Sequence, residues 1–177
     1  MKKILLLLLI SSSAIITNAQ GTLAETFKAQ MIKDWERAKA YTNEYLTAMP
    51  ADKYSFKAQD SIRSFAQQML HLAQANTNLS SNATGATRPW QRRLEVIPGT
   101  QTKDSVVYFV NASYDFVLDG IKKMDATKLE EKVKAGTLEE TKLAWLLKAF
   151  EHQTHHRGQT TIYIRLVGIK PPNEKLF

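Results

Sequence analysis

The chain contains no cysteine. That absence removes disulfides, thiolate metal ligands and a cysteine nucleophile together, so the core alone must stabilise the fold. Also missing are a Gly-rich phosphate loop, a Gly-x-Ser-x-Gly nucleophile elbow and a His-Glu-x-x-His zinc-protease helix. No long block of one charge occurs. The formal net charge is +7, but the basic residues are interspersed, and the clusters Arg92-Arg93 and Lys122-Lys123 are short. This pattern argues against nucleic-acid binding. No alternating strand pattern competes anywhere, and no internal repeat is present.

One strongly apolar run exists, at the N-terminus. Lys2-Lys3 precede an aliphatic stretch from Ile4 to Ile10, then serines, then Thr17-Asn18-Ala19. A basic start, a short apolar run and small residues before Gln20 read as a signal peptide over 1–19. The run is too short for a comfortable bilayer span and no second one follows, so no stable membrane insertion of the mature chain is expected. Residues 20–177 suit a single exported domain, periplasmic or secreted after cleavage near Ala19.

Four segments have helical periodicity. The first covers 23–48, with Phe27, Met31, Trp35, Ala38, Thr42, Tyr45 and Met49 on one face. Met49-Pro50 ends it. The second covers 58–78, with a stripe of Ile62, Phe65, Met69 and Leu72 and with His71 beside it. A long loop over 80–99 follows, rich in Ser, Asn, Thr, Gly and Pro. Within it, Arg88-Pro89-Trp90-Gln91-Arg92-Arg93 either lines a pocket mouth or only anchors the loop. The third helix covers 103–124. A charged stretch over 128–134 leaves room for a short helix. Thr137-Leu138-Glu139-Glu140 matches a capping box and opens a fourth helix over 138–167, which Gly168 and Pro171-Pro172 end. Its inward face reads Ala149, His152, His156, Gln159, Tyr163 and Leu166. Four such helices predict an all-α, up-down-type four-helix bundle, with two longer connections that permit a crossover.

Three of the four histidines lie in Glu151-His152-Gln153-Thr154-His155-His156-Arg157-Gly158-Gln159. His152 and His156 are four residues apart, one helical turn, so both imidazoles share a face and can hold one divalent metal. The remaining histidine, His71, sits on another helix among glutamines. Bundles build metal sites from facing helices in this way. The candidate site is His71, His152, His156 and a water, with the metal acting on a bound oxygen or sulfur. The bland alternative is a solvated, basic helix face. His155 is rotated off the His152/His156 face and is read as a neighbour of the ligands or as solvent-facing. Arg157 is expected to point away and form an ion pair. Glu151 either orients a ligand imidazole or is solvated. Gln159 and Tyr163 continue the face as pocket candidates.

These residues resemble the DinB/YfiT-like metal-binding four-helix bundles. The likeness is carried by Phe150 to Gln159 and by Tyr163-Ile164-Arg165-Leu166-Val167-Gly168-Ile169-Lys170-Pro171-Pro172. Met49-Pro50, Ser61-Ile62-Arg63-Ser64-Phe65 and His71-Leu72 support it. The resemblance implies a three-histidine divalent site in which His71 matches the second-helix ligand and His152 and His156 the last-helix pair. Nickel or zinc is the implied metal, with iron and manganese as alternatives. Related members include thiol S-transferases and a thiol-dependent isomerase.

The expectation is therefore a metal-dependent transferase or hydrolase acting on an unidentified small molecule. The alternative is a non-catalytic metal-binding or stress-associated protein. A third reading, through an exposed helix stripe, is a homodimer.

Overall fold

The computed structural model describes side chains from residue 23 onward; the expected signal peptide over 1–19 and its cleavage site lie outside the described residues. Four helices form the body of the molecule: α1 (Lys2–Ala48), α2 (Phe65–Thr84), α3 (Lys103–Lys123) and α4 (Lys142–Leu166). A small antiparallel hairpin, β1 (Lys132–Ala135) and β2 (Leu138–Thr141), precedes α4. Among the described residues no helix is long and apolar enough to cross a membrane.

In α1 the buried residues Met31, Trp35, Ala38, Thr42 and Tyr45, with Met49 just past its end, recur every three or four positions, as one helix face requires. Phe27 is an exception to the expected stripe, at 37% exposed. Trp35 is the centre of the core, with edge-on contacts to Tyr114 of α3 at 5.7 Å and Phe150 of α4 at 5.4 Å between ring centroids. After Pro50 a short 3₁₀ turn swings the chain round, and the buried Tyr54 donates its hydroxyl to Leu46 O at 2.8 Å.

Helix α2 starts later than expected, at Phe65 rather than near residue 58, and runs on to Thr84 rather than stopping near 78. The start is set by a capping box. Gln67 N donates to Ser64 Oγ and Ser64 N donates to Gln67 Oε1, so two orphan amides are satisfied reciprocally. Ile62 consequently lies before the helix and is exposed. The extension past residue 78 buries Ser80 and Ala83, and Thr84 packs against Gly120 of α3. The helix ends at Gly85.

Around the bundle the helices are ordered α1, α3, α2, α4. Helix α2 packs against both α3 and α4, and α1 closes the other side against the same two. Sequence neighbours α1 and α2 are thus diagonal, as are α3 and α4. The diagonals are spanned by residues 49–64, between α1 and α2, and 124–141, between α3 and α4.

The hairpin is a departure from the sequence reading. Gly136 takes φ 62°, a conformation the turn needs and L-residues disfavour, and Lys132–Ala135 pairs with Leu138–Thr141. Residues 138–141 are therefore strand, and the expected capping box at Thr137 does not form. The cap of α4 is Thr141, whose Oγ1 accepts from Ala144 N at 3.0 Å. In β1 exposed lysines alternate with half-buried Val133 and Ala135 over only four residues, and β2 carries two consecutive exposed glutamates, so no sustained alternation announces the hairpin. Trp145 Nε1 donates to Val133 O at 3.4 Å and ties the hairpin to the helix.

The buried line of α4 runs through Trp145, Ala149, Gln153, His156, Thr160 and Tyr163. It is rotated by about one residue from the expected face. Leu166, expected inward, is 57% exposed. Arg157, expected to point outward into an ion pair, is instead buried at 6% exposure and makes no ion pair among the described residues. Its guanidinium lies 4.6 Å from the Tyr41 ring centroid and donates to Gln153 Oε1 at 2.8 Å. Gln153 also accepts from Tyr114, which is 2.7 Å from Thr42 Oγ1. A hydrogen-bonded polar chain thus joins α1, α3 and α4 across the core.

Candidate metal centre

Rotation of α4 places Gln153 on the bundle axis and sends His152 and His156 to the shoulder that faces α2. There they meet His71. The ring centroids are 4.3 Å apart for His152 and His156, 4.6 Å for His71 and His156, and 5.2 Å for His71 and His152. One nitrogen from each ring lies within 4.8 Å of the others, so the three histidines could hold a metal ion. His156 is buried, and His71 and His152 are half-buried.

The electrostatics favour neutral rings. Burial, reinforced by neighbouring imidazoles, pushes His156 down to about 3 and His152 down to about 4. Burial and the Arg63 charge also lower His71, against an opposing pull from Glu95. A ligand imidazole must be unprotonated, so this trio stands ready for a cation at neutral pH without first losing protons. The Nδ1 atoms of His152 and His156 are buried and have no protein hydrogen-bond partner. A cluster of neutral imidazoles fits a borderline-soft divalent cation better than a hard one such as magnesium or calcium.

The other sequence candidates sit around this trio in different ways. His155 is exposed, and its Nε2 lies 2.9 Å from Gln159 Nε2. Gln159 in turn accepts from Gln68 Nε2 of α2, so His155, Gln159 and Gln68 form a polar chain beside His156. Tyr163 is buried and donates to Arg63 O at 2.7 Å, which pins the segment leading into α2. Glu151 is fully exposed and pairs with Lys148 at 2.6 Å, away from the histidines.

The carboxylate that does approach the trio is Glu95, which the sequence did not single out. It lies on a 3₁₀ turn (Leu94–Val96) in the long loop, is 5% exposed, and has its Oε2 3.9 Å from His71 Nδ1. Arg63 Nε donates to the same oxygen at 2.6 Å, and Arg93 bonds the other oxygen. Burial raises the Glu95 carboxyl, but the hydrogen bonds from Arg63 and Arg93 outweigh it and hold it below the usual carboxylate range. One acid in a loop otherwise bearing only arginines was the available signal. Arg93, left open between pocket and anchor, serves as both.

Beside the trio is an open depression of about 710 Å³, lined by Lys57, Arg63, Gln68, Arg93, His155, His156 and Gln159 among others. A second cavity of about 310 Å³ reaches His71 from the far side of Arg63 and Glu95.

Fold and site together define a four-helix bundle with a three-histidine cluster between its second and fourth helices. The sequence profile of the DinB family matches residues 20–176, and the chain belongs to that family. Two solved structures share the fold. A DinB-like protein from Bacillus cereus superposes with TM-score 0.71 at 14% identity, covering 82% of this chain and 95% of that one. A DinB-like protein from Bacillus subtilis gives 0.63 at 18% identity, covering 84% and 96%. No curated protein matches.

Proposed function

We propose that this chain is an exported DinB-family protein that holds one divalent cation, zinc or nickel, on His71, His152 and His156, and works as a metal-dependent transferase or hydrolase on a small anionic molecule. The observation that carries the reading is the convergence of three neutral imidazoles from two helices beside an open depression. Three protein ligands leave a coordination position for substrate, whereas a structural zinc site is normally closed by four.

When bound, the cation would supply Lewis acidity to a substrate oxygen or sulfur. The surrounding residues supply binding and orientation. Glu95 is matched against two guanidiniums, Arg63 and Arg93, so the rim retains a cationic excess. That excess attracts an anion and adds to the uncompensated charge of a cation held by neutral rings. Gln68, Gln159 and His155 give a row of hydrogen-bonding groups along the depression for the polar part of the substrate. Tyr163 fixes the Arg63 backbone and with it the position of the cationic rim.

Export rests on the leader pattern over 1–19. The functional reading is tested by crystals of zinc-reconstituted protein measured at the zinc absorption edge. An anomalous peak among the three histidines with a non-protein fourth ligand is expected. A fourth protein ligand closing the site would sink the enzymatic reading in favour of a structural or sequestering one.

A further inference from the structure

We infer that Glu95 is the positioning residue of the metal centre, holding His71 in the tautomer and orientation that present Nε2 to the cation. The inference rests on the metal-binding reading above and concerns how one ligand is set.

The first ground is how the chain places Glu95. Gln74 lies three residues after His71 on α2, so the two share a face. Gln74 Oε1 accepts from Leu94 N at 3.1 Å, and Gln74 Nε2 donates to Trp90 O at 3.4 Å. Leu94 is buried, its carbonyl accepts from Thr100 Oγ1 at 2.8 Å, and Gln101 Nε2 donates to Glu95 O at 3.0 Å. The helix that carries His71 therefore also clamps the backbone of the residue before Glu95. The long loop is fixed at the point where its one carboxylate hangs over the histidine.

The second ground is electrostatic. A carboxylate only 5% exposed is costly to bury. Arg63 and Arg93 keep it ionised, from two different segments of chain. Its Oε2 is 3.9 Å from His71 Nδ1, and no other carboxylate among the described residues pairs with a histidine. A side-chain shift of about 1 Å would bring the pair to hydrogen-bond distance. An anion at Nδ1 keeps the proton there and leaves the Nε2 lone pair for metal, with added basicity. His152 and His156 have no equivalent partner at Nδ1. His71 is thus the ligand whose strength the protein sets through a charge.

The test uses chelator-stripped full-length protein. Zn²⁺ affinity is read by competition with a chromophoric chelator, and ligand geometry by the visible spectrum of the Co²⁺-loaded protein. Glu95→Gln should bind Zn²⁺ about 10–100-fold more weakly and shift the Co²⁺ bands. Glu95→Asp, which keeps the charge, should recover part of the loss. The double variant E95Q/R93Q restores the net charge of the rim but leaves His71 without an anion. It should stay as weak as the single variant, and it provides the reading if E95Q alone fails to fold. Wild-type-like affinity and spectrum in E95Q, recovery in the double variant, or direct ligation by Glu95 in a metal-loaded crystal would each overturn the inference alone. Failure of the wild type to bind Zn²⁺ would overturn the metal centre, and this inference with it.

Discussion

At the scale of single residues, three buried or half-buried imidazoles face one another where apolar side chains would pack more cheaply. Each is held neutral by burial, and the cost shows when no metal is present. The folded pKa values, about 4 for His152 and about 3 for His156, lie below the ordinary 6.5. In that window the unfolded chain binds more protons than the folded one. The contribution is therefore fully present above pH 6.5 and is lost as pH falls through 4 toward 3. Denaturant midpoints of metal-free protein should drop over this range, and His156→Asn should flatten that part of the slope. An unchanged slope in the variant would contradict the assignment. Arg157 makes the second residue-scale case. Arg157→Leu removes a hydrogen bond to Gln153 and the contact with Tyr41, and leaves Gln153 less satisfied in the core. A loss of roughly 1–3 kcal/mol is expected in urea unfolding, and a neutral result would deny the polar chain any structural weight. His152 and His156 could be read from their spacing alone. Arg157 could not, because a periodicity search treats a guanidinium as outward-facing while the core here is polar.

At the scale of elements, the boundaries follow local chemistry more than hydrophobic pattern. Helix α1 could be read closely over its described part because Trp35, Tyr45 and Met49 keep strict helical spacing and Pro50 stops it. The start of α2 is not legible in the apolar stripe, because Ile62 extends that stripe backward, although Ser64-Phe65-Ala66-Gln67 spells a capping box. Ser64→Ala should cost about 0.5–2 kcal/mol and be visible as a lower melting temperature. No change would mean the box does not define the helix start. The hairpin is hard to read in the sequence because its strands are short and charged, and a Gly-Thr turn signals it only weakly. Its practical effect is to start α4 at Lys142, with Thr141 as cap. Glu95 is illegible in the sequence for a related reason. Its role depends on a loop clamped by Gln74, a contact between distant segments that no local pattern records.

At the scale of the whole molecule, the crossover order puts α2 beside α4, which a simple sequential bundle would place on the diagonal, so that here α2 touches both α3 and α4. One face of α2 builds the core, and its edge toward α4 carries His71. The core should be sensitive at its centre: Trp35→Ala is expected to cost roughly 3–5 kcal/mol. Metal and fold should be linked, since a cation bound only by the folded state adds about 2.7 kcal/mol when free metal is roughly a hundred times Kd. A melting temperature indifferent to chelator would contradict that linkage. The most direct test of the central claim is a calorimetric Zn²⁺ titration of chelator-stripped protein, run on the wild type and on His71→Ala and His152→Ala. One Zn²⁺ per wild-type chain and no saturable binding in either variant is the predicted result. Substoichiometric binding by the wild type, or full binding by the variants, would contradict a metal centre built from these three histidines.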